Sequence, residues 1–403
     1  MRRAQLILLG LLLVLSWITY LDRAAISTAK PMIAGDLNLS DEAMGLVFGA
    51  FALGYALAQV PSGWFADRVG PRLALAAVVT AWSICTSLTG AARSLSAMVA
   101  VRFLFGVTEA GAYPGSARAF YSWLPTGEHG RANGIIFSGA RLGAAVSFPA
   151  LAWLIGNFGW RSAFLLLGLP GVVWGVVWLA WFRDQPPYPA PKPASGGEDV
   201  RLGDVFRSRP MLLAMAQYFA SNFTFFICLS WMHPYLMSHY RLSRETAAWY
   251  SMVVLLIGAT AQWAAGFLVD RLYESRYRAH SRRIPAMIGF LLSAAGLALL
   301  RFSATPGGGV ACFALATFGA EMTVSPSWAF CIDLGRKKSG SVSGAMNMIG
   351  NLGSFVSASI FPVMYRLTGD GAAYFLTAAA LNVTAAAVWL FMKANRLNLG
   401  TVD

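Results

Sequence analysis

Twelve stretches of the chain are apolar and nearly free of charge: residues 4–21, 43–66, 73–92, 94–122, 132–160 and 162–182, then 211–240, 246–269, 284–300, 302–332, 339–365 and 371–392. An α-helix needs about 20 apolar residues to cross the hydrocarbon core of a bilayer, so most of these are long enough to cross once. The pattern predicts an all-α membrane protein of twelve transmembrane helices in two pseudo-symmetric six-helix bundles. The longest connection, residues 183–209, contains Asp184-Gln185-Pro186-Pro187-Tyr188-Pro189-Ala190-Pro191-Lys192-Pro193 and then Ser195-Gly196-Gly197. Proline fixes φ and lacks a backbone donor, so this stretch reads as a linker. It divides the chain into a first bundle over 1–182, a cytoplasmic linker over 183–209 and a second bundle over 210–403.

The halves carry an internal repeat. Gly63-Trp64-Phe65-Ala66-Asp67-Arg68 returns as Gly266-Phe267-Leu268-Val269-Asp270-Arg271 at the same place in the second half. The glycine permits close backbone approach, and the aspartate can meet a nearby helix N-terminus. Gly134 with Gly143 is echoed by Gly344 with Gly353. Together with the central linker, these echoes point to duplication.

Composition agrees: 57% of the residues are hydrophobic and 12% charged, with a mean hydropathy of +0.57. A net charge of +13 suggests nucleic acid in a soluble protein, so the placement of the bases decides its meaning. With the N-terminus inside and Arg23 counted with its span, 20 of the 31 Lys and Arg fall in inner segments and 7 in outer loops. By the positive-inside rule both termini are cytoplasmic, and the basic charge reports topology instead of a nucleic-acid partner. Met1-Arg2-Arg3 ahead of Leu6 to Leu15 has the form of a secretory leader, but the eleven further spans argue against cleavage. Cys85, Cys228, Cys312 and Cys331 sit singly in predicted spans, with no metal or redox spacing.

The block Gly63 to Arg72, with Gly63, Asp67, Arg68, Gly70 and Arg72, resembles the loop motif between helices two and three of the major facilitator superfamily. Tyr20-Leu21-Asp22-Arg23, Gly54-Tyr55, Gln59 to Trp64 and Arg102 to Arg118 resemble its anion:cation symporter branch, which includes bacterial sugar-acid transporters and the sialin and vesicular glutamate carriers. The resemblance implies alternating access around a central site. It also implies a protonation role for Asp22 and an anion-holding role for Arg23.

The residues point the same way. Asp22, Arg23, Arg102, Glu109, Arg118, Arg141 and Glu321 fall in or near predicted hydrocarbon, where a charge costs roughly 2.5 to 3.5 kcal/mol and usually marks a cavity. Arg102 and Glu109 share a face about 10 Å apart along the axis, too far for a direct pair. Glu109, near mid-membrane, is expected to carry protons with Asp22. The Arg23 fork suits a carboxylate. Arg141 departs from the neutral amide of the sugar-acid carriers, and either binds a second anionic group or pairs with Glu109 or Glu321. Arg118 has an equally good structural or snorkelling role.

Ser325, Trp328 and Asn347 resemble hydroxyl-binding positions, and Pro326 is expected to kink its helix. Tyr20 and Tyr55 can present hydroxyls, or anchor at the interface. Glu321 and His233 are additional candidates. A zinc, phosphate-loop or serine-nucleophile set is lacking, which argues against an enzyme and predicts no cofactor or metal. The expected activity is proton-coupled symport of a small organic anion, a sugar acid or related carboxylate, by a monomer in a bacterial inner membrane. Antiport or efflux, sodium coupling and a transporter-like nutrient sensor are the alternatives.

Overall fold

The computed structural model describes residues 2–187, 202–368 and 371–392, and the stretch 188–201 of the expected linker lies outside them. The described chain is built from fifteen α-helices. They are α1 Arg3–Asp36, α2 Asp41–Val69, α3 Pro71–Ala91, α4 Leu95–Glu109, α5 Ala112–Trp123, α6 His129–Trp181, α7 Leu202–Arg207 and α8 Arg209–Ser230, then α9 Met232–His239, α10 Arg244–Tyr273, α11 Arg283–Leu300, α12 Pro306–Met322, α13 Val324–Gly335, α14 Ser339–Thr368 and α15 Ala372–Phe391.

Ten helical stretches are long and apolar enough to cross a membrane, against the twelve expected. Two expected spans are not counted separately: 302–332 and 339–365 fall in one stretch, and within α6 only Ala150–Trp181 is counted among the described residues. Residues Pro306–Thr368 form one stretch of 63 that holds α12, α13 and α14, enough residues for two crossings of about 20 each. The 53 residues of α6 contain Gly159 at φ +72°, where two helices meet. Leu53, Leu57, Val173, Val176, Leu352 and Phe355 are all exposed, as suits helices whose outer face is solvated by lipid.

The helices start where the connectors supply caps. Ser40 accepts from the Ala43 amide, Ser94 from Ala97, Ser208 from Met211, Ser243 from Thr246 and Thr305 from Gly308. Gly70, at φ +86°, turns the chain between α2 and α3, and Pro71 begins the next helix.

Two of the expected spans are interrupted midway. The run 95–123 stops at Glu109 and resumes at Ala112, and the run 306–335 stops at Met322 and resumes at Val324. The second break precedes Pro326, whose missing N–H removes a bond from that turn.

The chain divides into two compact units. The first holds Met1–Pro125, Gly139–Asp199 and Gly335–Ala345, and the second Thr126–Ser138, Val200–Leu334 and Met346–Asp403. In the first, Leu21, Ala25, Met44, Phe164 and Leu167 share a core. In the second, Phe223, Ile227, Tyr235, Phe313 and Tyr374 do.

Candidate functional site

In the first unit the break after α4 puts Glu109 at a helix C-terminus, fully buried. A carboxylate there faces two costs, lost hydration and the negative end of the helix dipole. Arg23 offsets both, its Nε lying 2.7 Å from Glu109 Oε1. That guanidinium is boxed by aromatic rings, with centroids 4.7 Å away at Tyr55, 5.3 Å at Phe51 and 5.4 Å at Tyr20.

Asp22, adjacent in sequence, turns to another face of α1 and accepts from the Trp82 indole at 3.2 Å. Arg102 is buried over Phe105 and Phe51. Arg141 Nη1 donates to the Tyr20 hydroxyl at 2.9 Å, and its guanidinium lies 5.8 Å from the Tyr20 ring. Six expected residues, Tyr20, Arg23, Tyr55, Arg102, Glu109 and Arg141, thus form one connected group, and Asp22 stands on Trp82 beside it.

Several polar atoms of this group are buried without a hydrogen-bond partner among the described residues: Asp22 Oδ1, Glu109 Oε2, Arg23 Nη2 and Arg102 Nε. Buried polar groups are almost always paired, so a cluster of orphans of both signs stands out from the rest of the unit.

The second unit has its own polar cluster. Glu321 is buried one residue before the second break and accepts from the Gln262 amide of α10. Trp328 donates to the Tyr218 hydroxyl at 2.8 Å and packs its ring against Phe137 at 5.2 Å. Ser325 donates to the Gly130 carbonyl at 2.7 Å, so its proton is committed to a helix start. Asn347 is buried, and its backbone carbonyl accepts from Asn351. His233 is half-buried in α9.

The loop motif and its repeat are helix caps. In the first unit Asp67 accepts from the Gly340 and Ser341 amides at 2.9 and 2.7 Å and from the Ser341 hydroxyl at 2.6 Å, with Arg118 Nε 3.8 Å away. In the second, Asp270 accepts from the Gly130 and Arg131 amides, each at 3.0 Å, and from Arg131 Nε at 2.9 Å. A Cβ at Gly63 would run into the Gly340 carbonyl, and one at Gly266 would come within 2.7 Å of the Gly130 carbonyl. Arg72 donates to the Leu179 carbonyl at 2.6 and 3.1 Å, while Arg68 and Arg271 lie over Trp64 and Phe267.

These twin caps are repeated structure at the motif that the sequence singled out, and residues 12–358 match the Major Facilitator Superfamily. The chain belongs to that superfamily. It is a multi-pass membrane transport protein, and not an enzyme. It is 30% identical to the probable sulfoacetate transporter SauU of Cupriavidus necator, covering 96% of this chain and 93% of that one. It is 29% identical to the hexuronate transporter of Bacillus subtilis, over 91% of this chain and 90% of that one. Its fold matches the fucose:proton symporter FucP of E. coli with a TM-score of 0.76 at 13% identity, covering 97% of this chain and 100% of that one.

Sequence reasoning missed Phe51, Trp82, Gln262 and Tyr218. Gln262 had a signal, a lone amide inside an apolar run. Phe51 and Trp82 had none, because an aromatic in a span reads the same whether it faces lipid or a guanidinium.

Proposed function

We propose that the protein carries a small organic anion, a sugar acid or related carboxylate, across a bacterial inner membrane in symport with protons. It does so as a monomer with both termini in the cytoplasm, by alternating access of the bundles 1–182 and 210–403. The observation that carries this reading is the buried Arg23–Glu109 pair, with Arg23 Nη2 and Glu109 Oε2 left unpartnered beside it.

The pair supplies a coupling mechanism. A guanidinium binds a substrate carboxylate through two parallel bonds, and it can do so only by relaxing its hold on Glu109. Glu109, buried at a helix end, must then take a proton, since an unpaired charge there is too costly. Substrate and proton thus favour each other's binding, and the linkage is reciprocal. Asp22, held on one side by Trp82, is the second proton site.

Arg141 shares Tyr20 with Arg23, donating to its hydroxyl, and it fits a second anionic group. Sulfoacetate, named for the Cupriavidus relative, carries two acid groups, and a hexuronate carries one. Arg141 favours the former class.

The test is gradient-driven uptake into proteoliposomes across a panel of labelled mono- and dianionic acids. One acid should accumulate under an inward proton gradient at zero sodium. Glu109→Gln should keep substrate exchange while losing accumulation. Accumulation that survives in Glu109→Gln removes Glu109 from coupling, and uptake that demands sodium refutes the proton reading.

A further inference from the structure

The first unit holds a cavity that shares no residue with the Arg23–Glu109 group. It has a volume of about 350 Å³, and Arg3, Ile7, Trp123, Trp181, Arg183 and Pro187 line it. These residues come from the start of α1, the last residue of α5, the last residue of α6 and the segment just beyond, so the ends of three helices frame one opening. Its walls are fixed. The Trp123 indole donates to the Arg183 carbonyl at 2.7 Å, and the Trp123 carbonyl accepts from the Gln5 side-chain amide at 3.3 Å. Trp181 packs against Trp123 with ring centroids 5.3 Å apart, and Phe182 stacks on Trp123 at 5.0 Å.

The cavity joins two kinds of surface. Both of its charged lining residues are arginines, and the carboxylate next to Arg183 in sequence, Asp184, is engaged at the start of α3, where it accepts from the Arg72 amide at 2.9 Å. Ala4, in the first turn of α1, also lines the cavity, so the positive end of that helix dipole adds to the same potential. Ile7 supplies an apolar flank that is 39% exposed, and Leu6 beside it is 56% exposed. Trp181 is half-buried at its helix end, and indoles gather at the level where a bilayer meets water.

We propose that this cavity binds an anionic phospholipid, its phosphodiester between Arg3 and Arg183 and its acyl chains along Ile7 and Leu6. A free anion would use the arginines alone, and a neutral lipid the apolar flank alone; a molecule with both parts uses the whole site. Basic pockets between spans are a general form of headgroup site, and a guanidinium forks onto two phosphate oxygens. The lipid ties the start of α1 to the ends of α5 and α6, and so stabilises the first unit. The site needs the membrane embedding of the superfamily and not the symport reading. In the topology proposed above it opens to the cytoplasmic leaflet.

The full chain in detergent is titrated with short-chain phosphatidylglycerol, with phosphatidylcholine of the same chain length and with inorganic phosphate, and thermal unfolding reads binding, because a ligand of the folded state raises the melting temperature. Phosphatidylglycerol should raise it along a saturable curve, and the other two should leave it nearly unchanged. Arg3→Gln combined with Arg183→Gln should weaken the apparent affinity about tenfold or more, which is about 1.4 kcal/mol or more of charge-assisted contact. Both arginines are exposed, so the double variant should melt near wild type without lipid. Arg207→Gln combined with Arg276→Gln removes the same charge from exposed positions outside the cavity and should keep the wild-type affinity.

Equal stabilisation by phosphatidylcholine overturns the role of the arginines, and equal stabilisation by inorganic phosphate overturns the lipid as the ligand. Wild-type affinity in the Arg3→Gln and Arg183→Gln double variant overturns the site itself. So does an equal loss in the two double variants, since the whole basic surface would then attract the lipid. No stabilisation by any of the three compounds overturns the proposal outright. The readout involves no transported acid, so it stands or falls apart from symport.

Discussion

Replacing Arg23 by Met leaves an apolar stem among Tyr20, Phe51 and Tyr55 but removes the guanidinium 2.7 Å from Glu109. The carboxyl then has two courses. Staying charged and unpaired costs about 3 to 5 kcal/mol, the usual penalty for breaking a buried pair. Taking a proton from solution costs about 1.4 kcal/mol for each pH unit above about 4.3, the ordinary value for glutamate. That is about 3.7 kcal/mol at pH 7 and about 1.6 kcal/mol at pH 5.5. At pH 5.5 protonation is clearly cheaper, so Arg23→Met should be about 1.4 to 2 kcal/mol more stable at pH 5.5 than at pH 7, relative to wild type.

The sign follows from proton counting. The folded variant binds a proton that the unfolded chain at pH 7 does not, so its stability falls as pH rises. Losing the aromatic box adds about 0.5 to 2 kcal/mol at both pH values. Denaturant unfolding of the detergent-solubilised protein reads both parts. Adding Glu109→Gln to Arg23→Met should abolish the pH-dependent part and leave the constant one. Equal destabilisation of Arg23→Met at the two pH values, or a double variant with the same pH slope as the single, refutes the claim that Glu109 depends on Arg23 for its charge.

The other outcomes follow from single contacts. Arg141→Gln should weaken transport of acids with two anionic groups about tenfold or more while sparing those with one, as read by competition across the acid panel; this is the loss of one charge-assisted contact of about 1.5 to 3 kcal/mol. Trp328→Phe removes the indole donor to Tyr218 and should lower substrate affinity several-fold without altering the pH profile, measured by equilibrium binding. Gly63→Ala forces α2 away from the Gly340 carbonyl, and should raise alkylation of a cysteine placed at Ser341. Asp67→Asn, which weakens the two amide bonds that remain in that background without adding bulk, should raise it less.

The charged positions were legible because lipid makes them expensive. Asp22, Arg23 and Glu109 stand out from apolar surroundings by cost alone, whatever their partners. Partnership was not legible. Arg102, on the same face of its helix as Glu109, is held over Phe105 and Phe51, while the Glu109 partner comes from α1, 86 residues earlier in the chain. Periodicity gives neighbours within a helix and says nothing of which helices meet. The break near Pro326 was foreseeable from a missing donor. The break at Ala110–Gly111 carried the same signal, unread: Pro114 lies four residues past Ala110, as Pro326 lies four past Met322. Residues 129–181 hold two helices that meet at Gly159, two residues from Arg161, where the apolar pattern divides its spans.

The duplication reaches deeper than the motif that revealed it. Gln59 and Gln262 stand in the same relation to Gly63 and Gly266, four residues ahead of each. A Cβ at Gly344 would come within 2.5 Å of the Gln59 carbonyl, and one at Gly134 within 2.5 Å of the Gln262 carbonyl. Each half also breaks its fourth helix beside a buried glutamate, Glu109 in one and Glu321 in the other. The side chains around them have diverged: Glu109 meets the Arg23 guanidinium, while Glu321 receives the Gln262 amide. A guanidinium can be drawn off by an anionic substrate, and an amide cannot, because it carries no charge for the substrate to claim. In the proposed mechanism, substrate binding would change the electrostatics at Glu109 directly and reach Glu321 only through motion of the helices. Glu321→Gln should accordingly preserve the dependence of substrate affinity on pH while changing the rate of turnover. A Glu321→Gln protein whose affinity loses its pH dependence would assign to the second half the coupling that this geometry gives to the first.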